Sequence, residues 1–500
     1  MIRFSLPILI IFAVSSNCYS QSPISHPNTT WKYNTGFSDE FNNGTLDYIK
    51  WNSNVGDWGT WSWEPGNAFL KDTVLALRMQ QKTHNRGGIT YYFNSGILQN
   101  KRTITYGYFE AKIKASDKWP GTCPAFWLYS VGQPTPTEEE GVQYGEIDAV
   151  EIFQIVGELK TLEMNLHARV IKNGSLTWVR PGTGYADICR NTWVAPWDPR
   201  EEYHTYGVLN RLDSIFWYVD GIQRGSKKNL YWHLPMYITV SMGLRNPYEK
   251  YINGVRTVMP YPDTNPEPGF PTEMYCDYVR TWDTPPQLYA EKEKYQNAEF
   301  LVDTELKFEC RYFAGNGKTV LANEWNGVTC KLQEIKPDGS VVTEITLNDN
   351  TSVGKESGIS TFKFSLVGIT PSSELPSGNK YVLKPVFKSS NNDGEDVFMK
   401  DIMYTVIIKG LDTSNSQIPE SERKDYISLY PNPASEILHV FINDKTTKEI
   451  TVGIYNSMGV KVNSQVIPTD VFHQIDVSDF AKGLYIFRTD NSISEKLIIN

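Results

Sequence analysis

The chain has 500 residues, more than a single hydrophobic core usually serves, so roughly two to four domains are expected. Its 48 basic and 57 acidic residues give a formal net charge of −9. A protein whose main partner is nucleic acid needs a basic face for the phosphates, so this balance argues against that class. It argues against binding to an anionic membrane surface for the same reason.

The first residues are typical of a secretory signal. Arg3 precedes an apolar run from Phe4 to Val14, and the small residue Ser20 stands before Gln21. We therefore interpret residues 1–20 as a signal peptide. A lipoprotein anchor at Cys18 is the alternative, although residues 15–17 fit such a signal poorly. The apolar run is too short to span a bilayer and no later segment qualifies, so we predict an exported chain without a membrane span.

Aromatic strands distinguish residues 23–284 from the rest of the chain. Thirteen of the 14 tryptophans lie between Trp31 and Trp282. Segments such as YGYFEAKIKA, SIFWYVDGIQRG and MYITVSMGL alternate apolar and polar residues and are separated by Gly, Pro and Asn turns. No long stretch has a helical period. This pattern predicts one large antiparallel β-sandwich.

The stretch QYGEIDAVEIFQ, residues 143–154, places Glu146, Asp148 and Glu151 inside an apolar run. In a regular strand Glu146 and Asp148 share one face, whereas Glu151, an odd number of residues further on, points to the other face. A β-bulge at Ala149 and Val150 would restore the phase and bring all three acids to one face. The alternative is a solvated surface strand, where acids at alternate positions are ordinary.

Converging carboxylates among aromatic segments favour glycoside hydrolysis. Crowding of acids allows one group to donate a proton while its neighbour stays ionised. Indole and phenol rings have the shape that stacks on sugars, and WGTWSW, PAFWLYS and SLTWVRPG supply such rings. We interpret Glu146 as the nucleophile and Glu151 as the general acid/base of a retaining hydrolase, with Asp148 tuning both. We expect this catalysis to need no cofactor.

The composition changes after residue 284. Residues 285–410 contain Glu, Lys and Thr-rich strands with Gly and Asn turns, which favours an immunoglobulin-like β-sandwich. Cys310 and Cys330 could bridge neighbouring strands there in an oxidising compartment, and the cysteines have no zinc-like spacing. Residues 411–426 are predicted to form a polar linker. Residues 427–500 alternate again and predict a small β-sandwich.

The last segment also resembles the C-terminal sorting domain of the type IX secretion system. The resemblance rests on YPNP at residues 430–433, the turn at Gly459 and GLY at residues 483–485. It implies the type IX secretion machinery as a partner. It also implies a chain that is secreted or attached to the cell surface.

The motif Glu-Ile-Asp-x-x-Glu, preceded by YGYFEAKIK and PAFWLYS, resembles glycoside hydrolase family 16. The resemblance implies an all-β protein whose catalytic domain is a jelly-roll β-sandwich with an open cleft. It gives Glu146, Asp148 and Glu151 the roles argued above. The six-residue form of the motif, with its bulge, is that of laminarinases, agarases, porphyranases and carrageenases. The longest similarities, spread over residues 61–282, are to κ-carrageenases.

The similarity to κ-carrageenases implies a substrate and the residues that bind it. The implied cleft residues are Trp63, Trp127, His167, Trp178, Arg180 and Arg245. The two arginines are expected to contact sulfate groups, because a guanidinium binds a pair of sulfate oxygens. The expected activity is endo-acting hydrolysis of β-1,4 linkages in a sulfated red-algal galactan, most closely κ-carrageenan.

The sequence also leaves other substrates and another class of function open. Furcellaran, β-carrageenan, agarose, porphyran and β-1,3-glucan are alternative substrates for the same fold. A lectin-like protein that binds polysaccharide without cutting it is the rival of a different class, although a binder has no need for three converging acids. Glu40 and Asp277 match positions where relatives in the family hold a structural Ca²⁺, which takes oxygen ligands.

Overall fold

The computed structural model describes residues 23–26, 29–153, 157–322, 326–390, 397–399, 402–410, 426–443, 447–469, 471–490 and 494–499. The predicted signal peptide lies outside these residues, as does the predicted linker apart from residue 426. The described chain is almost entirely β-structure, as the alternating sequence predicts. None of its helices is long and apolar enough to cross a membrane.

The first module contains one short helix, α1 (Ala186–Cys189), and a single turn of 3-10 helix at Pro65–Asn67. Its strands are β1 (Lys32–Tyr33), β2 (Trp51–Asn52), β3 (Ser62–Trp63), β4 (Ala68–Lys71), β5 (Val74–Arg86), β6 (Ile89–Ser95), β7 (Ile97–Ile104), β8 (Gly107–Lys114), β9 (Thr122–Tyr129), β10 (Val142–Ile152), β11 (Thr161–Glu163), β12 (Leu166–Lys172), β13 (Ser175–Val179), β14 (Thr192–Val194), β15 (His204–Asn210), β16 (Ser214–Val219), β17 (Ile222–Lys228), β18 (Met236–Leu244), β19 (Glu249–Ile252), β20 (Val255–Val258) and β21 (Thr272–Asp283).

These strands form two large sheets and a separate hairpin. One sheet has the order β17-β16-β15-β8-β21-β5-β6-β3, with β1 and β4 attached at β21 and β5. The other has the order β13-β12-β10-β9-β18-β7-β2, with β11 beside β10 and β14 beside β11. Phe109 and Trp217 of the first sheet and Phe126 and Ile147 of the second are fully buried in one shared core. The module is the jelly-roll β-sandwich that the sequence predicts.

The predicted calcium ligands are instead engaged in ion pairs. Both carboxylate oxygens of Glu40 accept hydrogen bonds from Arg280, each at 2.8 Å. Asp277 accepts a hydrogen bond of 2.8 Å from Lys112. A calcium site needs several oxygens that face one cation, whereas each of these carboxylates already faces a side-chain cation. Glu40 and Asp277 are thus each paired with a side-chain cation in this arrangement, and their role as calcium ligands stays a prediction.

The second module contains the helix α2 (Lys292–Tyr295) and 3-10 turns at Asn350–Ser352 and Ser372–Glu374. Its strands are β22 (Gln287–Tyr289), β23 (Ala298–Leu301), β24 (Glu305–Phe313), β25 (Val328–Ile335), β26 (Val341–Asp349), β27 (Ser357–Ser365), β28 (Lys380–Ser389), β29 (Val397–Met399) and β30 (Tyr404–Lys409). They form the sheets β22-β24-β27 and β23-β30-β28-β25-β26, with β29 beside β28. Phe308 and Leu383, from different sheets, are buried in one core. The module is thus a β-sandwich, and its immunoglobulin-like character stays a prediction.

Cys310 and Cys330 do not lie on neighbouring strands. Cys310 is on β24 in one sheet, and Cys330 is on β25 in the other. Both are free thiols in the shared core. The expected bridge between neighbouring strands is therefore wrong, because residues 20 apart in a two-sheet fold can fall on opposite sides of the core.

The first two modules meet at a small buried cluster formed by Tyr106, Leu212 and Phe313. The rings of Tyr106 and Phe313 lie 4.8 Å apart, centroid to centroid. Asn316 donates hydrogen bonds of 3.1 Å to the carbonyl of Tyr106 and 2.6 Å to the carboxylate of Asp283. The chain up to residue 410 accordingly forms one compact unit.

A separate unit follows, with its own hydrophobic core. Its strands are β31 (Tyr426–Tyr430), β32 (Ile437–Asn443), β33 (Glu449–Asn456), β34 (Lys461–Pro468), β35 (His473–Asp476), β36 (Gly483–Thr489) and β37 (Ser494–Ile499). They form the sheets β31-β32-β35 and β34-β33-β36-β37. This is the small β-sandwich predicted for residues 427–500.

Candidate active site

The three acids lie together on one face of β10 because the strand contains the predicted bulge. Glu146 pairs with Tyr129 of β9 and Asp148 with Trp127, but the next pair joins Val150 to Phe126. Ala149 is therefore the extra residue. Beyond it the alternation is reversed, so that Glu151 points to the same face as Glu146 and Asp148.

That face of the sheet forms the floor of a cleft of about 660 Å³. All three acids line the cleft, and so do the six residues expected to bind substrate: Trp63, Trp127, His167, Trp178, Arg180 and Arg245. Arg169 and Arg256, which the sequence suggests as members of a local basic cluster with Arg180 and Arg245, also line the cleft. Its further aromatic side chains are Trp58, Trp61, Tyr129 and Tyr144.

Glu146 is held from two sides. The hydroxyl of Tyr144, two residues earlier on the same strand face, donates a hydrogen bond to Glu146 Oε2. His167 Nε2 on β12 lies 3.7 Å from Glu146 Oε1. Burial and the charge of Glu146 raise the pKa of Tyr144 well above its usual value, so its hydroxyl remains a donor. These two contacts fix the orientation of the Glu146 side chain in the cleft.

Asp148 and His167 form a close pair on the floor of the cleft. Asp148 is buried, and His167 Nε2 lies 3.3 Å from Asp148 Oδ2. Burial and the neighbouring charges of Glu146 and Glu151 raise the pKa of Asp148 well above its usual value. Burial opposes a charge on His167, but Glu146 and Asp148 outweigh it and raise the pKa of His167 to about 9. The pair therefore carries a proton at neutral pH.

Glu151 contacts Arg245, which the sequence comparison led us to expect on a sulfate group of the substrate. Arg245 Nη2 donates a hydrogen bond of 2.7 Å to Glu151 Oε1, and both side chains are largely buried. The thiol of Cys123 on β9 lies 3.7 Å from the same oxygen. Burial raises the pKa of Cys123 well above its usual value, so the thiol is a neutral neighbour. Gly243 leaves space for the arginine, because a Cβ at this position would lie 2.7 Å from Arg245 Nη1.

The β19–β20 hairpin brings a second arginine to this side of the cleft. Arg256 Nε lies 2.8 Å from Glu249 Oε1, and its guanidinium is 6.0 Å from the ring centroid of Trp61. Burial raises the pKa of Glu249, although Arg245 and Arg256 oppose the shift. Glu249 thus lies between two arginines.

The other side of the cleft carries an exposed tryptophan between two arginines. The guanidinium carbons of Arg169 and Arg180 lie 5.5 and 5.3 Å from the ring centroid of Trp178. Arg169 Nε is buried and has no hydrogen-bond partner among the described residues. Trp127 and Tyr129 are stacked at 4.4 Å on the cleft floor. These flat rings suit stacking on sugar rings, and the guanidinium groups suit anionic substituents.

Sequence reasoning missed two residues next to the candidate catalytic carboxylates. Tyr144 could have been predicted from the sequence, since it stands two residues before Glu146 and residues two apart on a strand share a face. Nothing in the sequence spacing indicates Cys123, because it lies next to Glu151 only through the register in which β9 and β10 pair. The pairing of Arg245 with Glu151 could not be predicted from the sequence either, because the two residues are 94 positions apart.

Comparison with known proteins agrees with this geometry. Residues 31–284 match the family model described as beta-porphyranase A-D, GH16 domain. The chain therefore belongs to glycoside hydrolase family 16, and it is a glycoside hydrolase.

Individual relatives show which members of the family the chain resembles. The chain is 39% identical to a kappa-carrageenase of Pseudoalteromonas carrageenovora, over 56% of this chain and 73% of that protein. It is 26% identical to beta-porphyranase B of Zobellia galactanivorans, over 39% of this chain and 68% of that protein. A solved structure named 1,3-alpha-1,4-beta-D-galactose-4-sulfate-3,6-anhydro-D-galactose 4 galactohydrolase is 39% identical, with a TM-score of 0.50, and covers 53% of this chain and 98% of its own.

Residues 428–500 match the model described as secretion system C-terminal sorting domain. The predicted type IX sorting domain is confirmed. Such a domain indicates export to the cell surface or the medium.

Proposed function

We propose that the chain hydrolyses internal β-1,4 linkages of a sulfated red-algal galactan, most favourably κ-carrageenan, with retention of configuration. The observation that carries the proposal is the charge of the cleft. Although the chain has a net charge of −9, the cleft lining contains Arg169, Arg180, Arg245 and Arg256 around the catalytic acids. The similarity to a kappa-carrageenase supports the same substrate.

The proposed mechanism uses two of the three acids directly. Glu151 protonates the glycosidic oxygen while Glu146 attacks the anomeric carbon, and the leaving chain departs from a covalent glycosyl-enzyme. Glu151 then takes a proton from water, which releases the sugar with its original configuration. Tyr144 and His167 hold Glu146 in line for attack. Asp148 and His167 keep a proton beside the nucleophile, which reduces the repulsion among the three carboxylates.

The remaining cleft residues bind the polymer in this proposal. Trp127 and Trp178 stack on sugar rings, while the largely buried Trp63 supports the cleft wall. Arg180 and Arg245 contact sulfate groups, each through a planar pair of N–H donors. The unpartnered Arg169 Nε adds a buried donor on the side of Arg180.

A porphyran hydrolase is the second candidate, favoured by the family model that matches residues 31–284. Porphyran also carries sulfate, so the arginines by themselves do not separate the two polymers. Furcellaran, β-carrageenan, agarose and laminarin remain candidates with less sulfate or none. A non-catalytic lectin is disfavoured, because Glu146, Asp148 and Glu151 are all present and converge.

The test is release of reducing ends by the full chain on κ-carrageenan, furcellaran, desulfated carrageenan, agarose, porphyran and laminarin. We expect the highest kcat/KM on κ-carrageenan, and proton NMR should show the β-anomer as the first product. EDTA should leave the rate unchanged, since no step requires a metal. A preference for agarose or laminarin would overturn the sulfated-galactan assignment, and a first-formed α-anomer would overturn retention.

The matched control is Glu146→Gln, which keeps the side-chain volume and removes the nucleophile. It should abolish turnover and still bind the polymer in affinity electrophoresis. Turnover equal to that of the unaltered chain would remove Glu146 from the mechanism. Binding without turnover by the unaltered chain itself would establish the lectin instead.

We further propose that residues 1–20 direct the chain across the inner membrane and that the sorting domain then engages the type IX secretion machinery. The match of residues 428–500 supports the second step. Deleting residues 427–500 should retain the hydrolase inside the cell envelope, as fractionation and activity assays would show. Undiminished activity in the medium would contradict this route.

A further inference from the structure

A second cavity lies at the junction of the first two modules, away from the candidate catalytic acids. It encloses about 260 Å³ and shares no lining residue with the cleft. Lys228 at the end of β17 and the following Asn229 line it from the first module, and Tyr289 of β22 and Arg311 of β24 line it from the second. The proposed hydrolysis uses none of these side chains, so the cavity has no part in that reaction.

Arg311 stands on the face of β24 that is turned away from the core of its own module. Its neighbours along the strand, Cys310 and Tyr312, are buried in that core. Arg311 pairs with Tyr289 on one side and with Ile359 of β27 on the other. Side chains at paired positions share a face, so Arg311 is flanked by a phenol and an aliphatic side chain, and all three line the cavity.

Arg311 has no carboxylate partner of its own. Among the described residues its side chain makes neither a hydrogen bond nor an ion pair, and burial lowers its pKa. Of the titratable groups that act on it, Tyr106 and His233 are neutral, because burial raises the pKa of Tyr106 and lowers that of His233 well below its usual value. The third group, Glu309, lies 3.3 Å from Lys294. A cation withdrawn from water without a counter-charge costs free energy, which an anion in the cavity would offset.

The lining of the cavity carries one positive charge in excess. Its charged side chains are Lys228, Lys294 and Arg311 against Glu291 and Glu309. Glu291 pairs with Lys228 and Glu309 with Lys294, which leaves Arg311 as the excess. Two charged side chains that contact these pairs from outside the lining have opposite signs, Glu293 and Lys307. The cavity therefore suits a ligand with a single negative charge, such as a sulfate ester, whose oxygens a guanidinium binds in pairs.

The size and shape of the cavity favour one sugar ring with its sulfate. Sites for drug-sized ligands enclose roughly 300–1,000 Å³, so this cavity suits one ring and its substituent better than a run of several. Tyr289 provides a flat, amphipathic ring beside Arg311, which suits packing against a sugar.

We propose that the junction cavity is a second binding site for a sulfated sugar, in which Arg311 binds the sulfate and Tyr289 packs against the ring. The site holds the galactan on the second module while another part of the polymer occupies the cleft. Two attachment points on one polymer raise the effective concentration of substrate at the cleft without a new contact there. The inference rests on the proposed function, because it takes its ligand from a sulfated galactan.

Calorimetry of the full chain tests the site without turnover. Glu146→Gln is titrated with a κ-carrageenan oligosaccharide, and the binding curve should require two classes of site, one for the cleft and one for the cavity. Adding Arg311→Gln should raise the Kd of the second class about tenfold or more, because a charged hydrogen-bond donor is lost, and should leave the Kd of the cleft unchanged. A single class of site in Glu146→Gln would overturn the proposal.

Two further variants separate binding from a structural role of Arg311. Lys307→Gln is the matched control, because it removes one positive charge from an exposed position on the same strand, outside the cavity, and it should change neither Kd. Ile359→Trp keeps every charge and fills the space beside Arg311, and since Ile359 is 51% exposed the chain should still fold. This variant should abolish the second class. If Arg311→Gln lowered only the melting temperature and left both Kd values unchanged, Arg311 would be structural and the proposal refuted.

Two other ligands identify what the second class of site recognises. Inorganic sulfate and the desulfated oligosaccharide should each bind it about tenfold or more weakly than the sulfated oligosaccharide does. Equal binding of inorganic sulfate would show an anion site without recognition of sugar. Equal binding of the desulfated oligosaccharide would exclude contact between Arg311 and sulfate. Either result would contradict the proposal.

Hydrolysis by the otherwise unaltered chain provides the last readout. Arg311→Gln should raise KM for polymeric κ-carrageenan about threefold or more and leave kcat unchanged, because it removes only the second attachment point. On a short oligosaccharide, which cannot reach both sites at once, kcat/KM should stay the same. An equal loss on polymer and oligosaccharide would overturn the proposal. Failure of the proposed function is distinguishable, because the unaltered chain would then not hydrolyse κ-carrageenan at all.

Discussion

At the scale of single residues, the two glutamates of the candidate active site differ in the side chains that contact them. Glu146 receives a hydrogen bond from Tyr144 and lies near His167, whereas Glu151 pairs with Arg245 beside the thiol of Cys123. Two glutamates on one strand thus have different environments. In the proposed mechanism this difference lets Glu146 act as the nucleophile and Glu151 as the general acid.

The first residue-scale prediction concerns Tyr144. Tyr144→Phe keeps the ring beside Trp178 and removes the hydroxyl that orients Glu146. A hydrogen bond to a charged group contributes about 1.5–3 kcal/mol, so kcat should fall roughly tenfold to a hundredfold. The measurement is steady-state hydrolysis of the preferred galactan, with KM recorded separately.

Its control is Tyr278→Phe, on the other sheet. Tyr278 donates a hydrogen bond of 2.9 Å to the buried Glu110, so its loss should lower the melting temperature and leave kcat unchanged. If Tyr144→Phe also lowered only the melting temperature, Tyr144 would be a structural residue and not a positioning one.

At the scale of elements, β10 and the β19–β20 hairpin determine what the cleft contains. The bulge in β10 turns Glu151 toward the cleft, and the hairpin carries Glu249 and Arg256 next to Arg245. The sequence predicts the bulge because the spacing of the acids is odd while the apolar residues on either side still need the core. It does not predict the hairpin's contacts, because a hairpin's orientation depends on what it packs against.

Deletion of Ala149 tests the bulge. Without the extra residue the strand alternates regularly, so Glu151 should point into the core and a core residue should point into the cleft. Loss of the general acid should lower kcat by a factor of about a hundred to ten thousand. Hydrolysis assays and circular dichroism together check the outcome.

The companion variant Ala149→Gly keeps the number of residues and should retain most of the activity. A deletion variant that folds and hydrolyses substrate at a comparable rate would mean that the bulge does not set the direction of Glu151. If the deletion variant does not fold, Glu151→Gln alone should reproduce the predicted loss of kcat.

At the scale of the whole molecule, each of the three modules has a hydrophobic core of its own among the residues that the structure describes. The first two share the buried cluster of Tyr106, Leu212 and Phe313, while the sorting domain is a separate compact unit. The second module is therefore part of the folded body that carries the cleft, and more than a tether.

Phe313→Ala should uncouple the first two modules. Removing a buried phenylalanine costs about 3–5 kcal/mol, and here the loss falls on the junction. We expect scanning calorimetry to show one transition for these modules in the unaltered chain and two in the variant. Phe364→Ala, inside the second core, should destabilise that module without changing activity at moderate temperature. Two transitions in the unaltered chain would contradict the coupling.

The sequence by itself determined the features that depend on neighbours along the chain. These are the alternation of the strands, the bulge between Asp148 and Glu151, the family motif and the sorting domain. Each rests on local periodicity or on a contiguous motif, so residues a few positions apart suffice to recognise it.

Only the tertiary structure decided which distant side chains meet. Arg245 pairs with Glu151, Arg280 and Lys112 occupy the acids expected to bind calcium, and Cys310 and Cys330 lie on facing sheets. Such pairs depend on strand order and register, which are set by the packing of the whole sandwich and leave no trace in sequence spacing. For that reason the sequence identified the three candidate acids, whereas the structure showed which side chains from distant strands lie against them.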